Sequence, residues 1–156
     1  MDASRARGLI LCVDDYENIL EGWELLLKSV GYQVLTARNG ASALELFTSH
    51  SVDEVILDYQ LAETTGDVVA NEMKVIKPNV PILLLSGNGE LSQEKLLAVD
   101  RFLPKGGSTA IFLATIEALL SSTRQTLHTA AISDRENQKD QPIANGLLPT
   151  TQPKAA

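Results

Sequence analysis

Residues 9–15 read Leu9-Ile10-Leu11-Cys12-Val13-Asp14-Asp15, five apolar side chains followed by two carboxylates. A second apolar run, Val55-Ile56-Leu57, ends in Asp58. Continuous apolar runs of this length are typical of strands buried on both faces of a parallel sheet. Parallel strands end at the same sheet edge, so we expect these carboxylates to lie together and to need a cation among them. Ligands that offer only oxygen favour Mg²⁺ over zinc.

Two further strand-like runs are followed by residues suited to phosphate chemistry. The run 81–85 is followed by Ser86, and the run 100–104 is followed by Lys105. A hydroxyl and an ammonium therefore join the carboxylates. In open α/β sheets, ligands bind outside the carboxyl ends of the strands. The positions of these side chains predict a phosphate-handling site at that edge.

Helical patterns alternate with the strand-like runs. Further strands are predicted over 32–37 and 52–57. The spacing of apolar residues predicts helices over 16–30, 40–49, 66–77 and about 108–122, and a loop with a short helix over 88–99. Strands that alternate with helices call for a doubly wound α/β fold, in which helices cover both faces of a parallel sheet.

Composition limits the classes of function. The chain has 156 residues, enough for one domain of ordinary size. Its net charge of −7 and its pI near 4.8 argue against nucleic-acid binding through a basic surface. The single cysteine, Cys12, is expected to be a small buried hydrophobe. No apolar stretch has the length of a signal peptide or a membrane span, so we expect a cytoplasmic protein with no membrane partner.

The sequence predicts three regions. Residues 1–8 form an N-terminal extension, residues 9–123 form the domain, and residues 124–156 form a flexible polar tail. The tail contains Pro142, Pro149 and Pro153 and lacks sustained apolar periodicity. Disorder is the preferred interpretation of its short apolar segment, 143–148, as well.

From about Leu9 to Ser122 the chain resembles the receiver domain of two-component response regulators. The matching pieces occur in the family's order and fall mostly at predicted strand ends: Val13-Asp14-Asp15, Ile56-Leu57-Asp58, Gly66, Leu85-Ser86-Gly87 and Phe102-Leu103-Pro104-Lys105. The resemblance implies a flavodoxin-like sheet of five strands in the order 2-1-3-4-5. It also implies a stand-alone signalling protein that is not an enzyme and that regulates an unidentified downstream protein.

The resemblance also implies which residues accept the phosphoryl group, bind the metal ion and contact the phosphoryl oxygens. Asp58 would accept a phosphoryl group from the phosphohistidine of a histidine kinase or phosphotransfer protein. Asp15 would bind Mg²⁺ directly and Asp14 through water, and Asp58 and the backbone carbonyl of Gln60 would complete the protein ligands. Lys105 would pair with a phosphoryl oxygen after transfer.

The resemblance also assigns residues to the conformational switch and to the lining of the pocket. Ser86 would move its hydroxyl to a phosphoryl oxygen, and Phe102 would turn inward as the aromatic switch residue. Gly87, having no side chain, would let the phosphoryl group approach the backbone. Gln60 and Asn88 lie where amide side chains approach that group. Taken singly, Ser86 is as well explained as a turn cap and Phe102 as core.

The chain departs from the family at two places that matter. Gly106 follows Lys105, where the family usually has a proline, often with a cis bond; the sequence does not say whether the Lys105–Gly106 bond is cis. The stretch from Ser86 to Lys105 is short, so the fourth helix is expected to be short, displaced or partly unwound.

These departures leave two alternatives open. One is a receiver-like interaction module that does not switch. The other is a magnesium-dependent phosphatase of the haloacid-dehalogenase type. That family needs a second carboxylate two residues after its nucleophile, where this chain has Tyr16 after Asp14 and Gln60 after Asp58.

Overall fold

The computed structural model describes residues 6–139. Within that range strands alternate with helices, as predicted. The elements are β1 (Leu9–Val13), α1 (Glu17–Ser29), β2 (Gln33–Ala37), α2 (Gly40–Ser49), β3 (Glu54–Asp58), α3 (Gly66–Ile76), β4 (Ile82–Ser86), a 3₁₀ turn (Gln93–Leu96), β5 (Arg101–Pro104) and α4 (Thr109–Lys139).

The strands form one parallel sheet in the order β2-β1-β3-β4-β5, which confirms the predicted fold. The central pair is β1 and β3, with Val13 opposite Leu57. This register places the residues after β1 beside the last residue of β3. In the next two pairs, Asp58 lies opposite Leu85 of β4, and Ser86 lies opposite Pro104 of β5. These pairings bring the carboxyl ends of β1, β3, β4 and β5 to one edge.

Two apolar cores lie on opposite faces of the sheet. Alternate strand residues point to opposite faces, so Leu11 joins one core and Cys12 the other. Side chains of α2 and α3, among them Phe47 and Met73, pack on the first face. Side chains of α1 and the first part of α4, among them Leu27 and Ile116, pack on the second. Burial on both faces explains why β1, β3 and β4 are largely continuous apolar runs.

Local signals set where helices begin and end. Gly31 follows α1 with φ +98°, a left-handed conformation that favours glycine. Its backbone N–H donates to the Lys28 carbonyl at 3.1 Å, which closes the helix as the sequence predicted. At the start of α2, the Asn39 side chain accepts a hydrogen bond from the Ser42 backbone N–H at 2.8 Å.

The fourth helical segment is reduced to the 3₁₀ turn Gln93–Leu96, in agreement with the expectation that it is short or partly unwound. The chain between β4 and β5 is brief and contains Gly87 and Gly89, so a full α-helix with two loops does not fit. Leu91 and Leu96 from this segment still pack against the core on the α2 and α3 face.

The prediction that the last helix ends near Ser122 was wrong, because α4 continues to Lys139. No glycine or proline interrupts the sequence between these residues, and good helix formers occur there without a regular apolar stripe. The chain divides into one compact unit that ends at Arg124 and a second that begins at Gln125.

Part of the predicted terminal regions cannot be compared with the structure. Residues 1–5 of the predicted extension and residues 140–156 of the predicted tail, with the apolar segment 143–148, lie outside the described residues. Among residues 6–139, no helix combines the length and the apolar character needed to cross a membrane.

Candidate functional site

Three carboxylates meet where β1 and β3 end. One oxygen from each of Asp14, Asp15 and Asp58 lies within 4.8 Å of the others. Asp14 is fully buried and Asp58 is 3% exposed. The predicted convergence is therefore present, and it follows from the β1–β3 register. Three acidic groups at this distance repel one another strongly in a site with little water.

Lys105 lies against two of these carboxylates. Its Nζ donates to Asp14 Oδ2 at 2.7 Å and lies 3.1 Å from Asp58 Oδ1. Its backbone N–H donates to the Ser86 carbonyl at 2.8 Å, and this hydrogen bond joins the end of β5 to the end of β4. Lys105 thus reaches the pocket although its bond to Gly106 is trans.

Burial and charge shift the pKa values of this pair. Burial raises the pKa of Asp58 above its ordinary value, and the hydrogen bond from Lys105 counters that rise only in part. Burial works to lower the pKa of Lys105, but its hydrogen bonds to Asp14 and Asp58 outweigh this and raise it. The ammonium therefore favours the ionised form of the buried Asp58 carboxyl and limits the rise of its pKa.

The donor set fits Mg²⁺. Asp15 Oδ1 is buried and has no hydrogen-bond partner among residues 6–139, a costly state for a carboxylate oxygen. Asp14 Oδ1 accepts from the Tyr16 backbone N–H at 2.9 Å. A small oxygen-only set on a partly open edge suits an ion that keeps several of its waters. Gln60 lies in an exposed bridge with Thr65, and its carbonyl remains a predicted ligand.

Ser86 holds the turn that follows β4. Its Oγ donates to the Asn88 carbonyl at 3.0 Å and accepts from the Asn88 backbone N–H at 3.2 Å. The simple role of a turn cap is therefore present, and the switch role stays a prediction. A Cβ placed on Gly87 would meet no atom within 4 Å, so nothing in the described chain itself demands glycine there. Asn88 is exposed, and its approach to the phosphoryl group stays a prediction.

Phe102 lies on β5 and is half-buried. It packs against the core on the α2 and α3 face, and Leu96 and Val99 from the segment that contains the 3₁₀ turn pack against the same core. The ring therefore shares a core with that segment. Its role as a switch residue stays a prediction.

Two residues near the site were not identified from the sequence. The Trp23 side chain, from α1, has its ring centroid 5.9 Å from Lys105 Nζ. The Arg38 guanidinium donates to the Asp15 backbone carbonyl at 3.3 Å. Neither residue belongs to a recognisable sequence motif, because its role depends on contacts between different secondary-structure elements.

Gly66, which was part of the recognised pattern, has a steric reason to be glycine. A Cβ there would overlap the Asp58 carbonyl oxygen and lie 2.8 Å from Leu84 Cδ1. Its N–H donates to the Tyr59 carbonyl at 2.7 Å. The start of α3 therefore packs directly on the end of β3, where Asp58 lies.

Sequence comparisons agree with this geometry. The family model for the response regulator receiver domain matches residues 10–117. The response regulator MprA of Mycobacterium sp. (strain KMS) is 31% identical over 117 residues, which are 73% of this chain and 51% of MprA. The probable transcriptional regulator ycf27 of Cyanidium caldarium is 32% identical over 114 residues, which are 71% of this chain and 45% of ycf27. The chain thus spans about half the length of these curated relatives.

Solved structures show the same fold. The response regulator TrrA of Thermotoga maritima, in complex with Mg²⁺ and BeF, has a TM-score of 0.69 and 32% identity, covering 72% of this chain and 98% of that protein. The receiver domain of an HD domain-containing protein from Pseudomonas fluorescens Pf-5 has a TM-score of 0.74 and 26% identity, covering 82% and 97%. With its acidic edge, its sheet order and its match over residues 10–117, the chain belongs to the response regulator receiver domains of two-component signalling.

Proposed function

We propose that this chain accepts a phosphoryl group on Asp58 from a histidine kinase or a phosphotransfer protein, and thereby regulates a downstream protein. The observation that carries the proposal is the contact of one buried carboxylate with both an acidic cluster and a lysine. Asp58 lies within 4.8 Å of Asp14 and Asp15 and 3.1 Å from Lys105 Nζ. The nucleophile, the metal ligands and a cation for the phosphoryl group are then all present.

In this proposal an Asp58 carboxylate oxygen attacks the phosphorus of the donor. An O–P bond forms and the N–P bond of the phosphohistidine breaks, so that the imidazole nitrogen keeps the electron pair and takes a proton from water. Asp15, Asp14 and Asp58 would hold Mg²⁺, and its charge would offset the repulsion between the carboxylate and the phosphoryl group. The Lys105 ammonium then pairs with a phosphoryl oxygen instead of with Asp58.

The proposed switch is a shift between two arrangements that the chain already samples. The Ser86 hydroxyl exchanges its bonds with Asn88 for a phosphoryl oxygen, and the turn after β4 follows it. Phe102 and the segment after that turn pack on the same core, and in this proposal the ring changes its position with the segment. A nearly complete shift needs a preference of roughly 10⁴-fold for one arrangement in the phosphorylated chain.

The direct test incubates the chain with Mg²⁺ and acetyl phosphate and measures its intact mass. We expect the mass to rise by one phosphoryl group in the wild type and in Asp134→Asn, which alters an exposed aspartate of α4. Asp58→Asn should show no rise. An adduct that persists in Asp58→Asn would refute the acceptor assignment. No adduct at any Mg²⁺ concentration would favour the interaction module, and steady hydrolysis of phosphate esters would favour the phosphatase.

A further inference from the structure

The backbone after Lys105 does little to fix that side chain. Gly106 and Gly107 follow it, and Gly106 has φ +78°, in the left-handed region. A Cβ built on Gly106 would meet no atom within 4 Å, so the turn is also loosely packed on that side. The position of the Lys105 side chain must therefore come from its own contacts.

Those contacts include an aromatic face as well as carboxylates. Nζ meets Asp14 Oδ2 at 2.7 Å and Asp58 Oδ1 at 3.1 Å, and it lies 5.9 Å from the centroid of the Trp23 ring. That distance is within the range of about 6 Å at which a cation is attracted to an aromatic face, and tryptophan is the strongest such partner.

The Trp23 ring is itself held in place by α4. Its centroid lies 6.4 Å from that of Phe112, with 31° between the ring planes. The two rings line a cavity of about 350 Å³ that also borders Lys105. The tryptophan therefore joins α1, α4 and the turn after β5 around one ammonium group.

We propose that Trp23 is a positioning residue for Lys105, whose ammonium it holds at the pocket through its indole face. The inference rests on the proposed function and extends it to a residue outside the acidic pocket. Asp14 and Asp58 change their partners when they bind a cation or become phosphorylated, and they then hold the ammonium less strongly. The Trp23 face takes part in neither event, so it keeps Lys105 within reach of the phosphoryl oxygens.

The kinetic test measures the rate of phosphorylation by acetyl phosphate at saturating Mg²⁺. We expect Trp23→Leu to slow the reaction about two- to fivefold, the size of a cation–aromatic contact at a partly exposed site. Trp23→Phe should keep most of the rate, because it retains an aromatic face. Leu26→Ala is the matched control, since it removes apolar volume from the same cavity, and it should leave the rate unchanged.

A double-mutant cycle separates positioning from general packing. In the Lys105→Met background, adding Trp23→Leu should cause no further slowing, because the ammonium it would hold is gone. Equal slowing in both backgrounds would overturn the proposal, as would an unchanged rate in Trp23→Leu alone. The apparent affinity for Mg²⁺, read from the melting temperature, should be the same in the wild type and Trp23→Leu.

An NMR measurement tests the contact without any phosphorylation. The Lys105 side-chain methylene protons next to the ammonium should show an upfield shift from the indole ring, and Trp23→Leu should abolish it while Leu26→Ala preserves it. If those signals do not move in Trp23→Leu, the positioning role is wrong. If they move but the wild type takes up no phosphate, the positioning stands and the phosphoacceptor function fails.

Discussion

Glu54 provides the sharpest test of how this fold tolerates a buried acid. It is the first residue of β3, is fully buried, and neither of its carboxyl oxygens has a hydrogen-bond partner within residues 6–139. Burial, reinforced by the negative charge of Asp100, raises its pKa from 4.5 to about 9. The side chain is therefore protonated in the folded chain at neutral pH.

This shift makes the free energy of unfolding depend on pH with a definite sign. Above 4.5 the unfolded chain loses the proton while the folded chain keeps it, so stability falls as pH rises toward 9. Between about pH 5 and about pH 7.5 the loss from Glu54 amounts to about 3 kcal/mol. This loss depends on the ordinary pKa of Glu54 in the unfolded chain, because its pKa of about 9 in the folded chain lies above both pH values.

We expect Glu54→Gln to remove this dependence, because glutamine resembles the protonated acid and does not titrate. Urea unfolding at about pH 5 and about pH 7.5 would measure both proteins, and the variant should gain about 3 kcal/mol relative to the wild type between these two conditions. Glu72→Gln, at an exposed position of α3, is the control and should follow the wild type. Parallel pH profiles for wild type and Glu54→Gln would refute the assignment of a neutral buried acid.

Two further predictions concern the site and its support. Gly66→Ala should lower the free energy of unfolding by about 1–3 kcal/mol, because its methyl group overlaps the Asp58 carbonyl. Gly22→Ala in α1 has open space around it and should instead stabilise the chain by about 0.5–1 kcal/mol, so equal urea midpoints for the two variants would contradict this reasoning. Mg²⁺ at a hundredfold excess over its Kd should stabilise the wild type by about 2.7 kcal/mol. Asp15→Ala should lose that gain, and a melting temperature that still rises with Mg²⁺ in Asp15→Ala would show that the ligand assignment is wrong.

The strand ends could be predicted from the sequence because they depend on a simple regularity. Strands buried on both faces are continuous apolar runs, and their ends share an edge, so Asp14, Asp58 and Lys105 could be placed together before their distances were known. The order of the strands in the sheet was predicted from the family resemblance and not from the apolar runs. The sequence did not show whether Lys105 reaches the pocket without the proline that usually follows it in the family, and the structure shows that it does.

Other features depended on contacts that the sequence does not record. In α1, Leu20 and Leu27 are buried, whereas Ile19 and Trp23 are only partly buried. The apolar spacing alone does not distinguish these positions, because a helix can rotate by a fraction of a turn without changing its pattern. The contact of Trp23 with Lys105 joins α1 to the end of β5, and no local spacing predicts it. The end of α4 was missed because helix propensity, rather than an apolar stripe, continues it to Lys139.

The buried thiol of β1 makes the native chain unusually simple to label. Cys12 is the only cysteine in the sequence, it has no exposed surface, and burial raises its pKa. Maleimides react with the accessible thiolate, so they should leave the folded chain unmodified and attach a dye only to a cysteine introduced on the surface. Slow modification of Cys12 itself would then time the opening of the centre of the sheet.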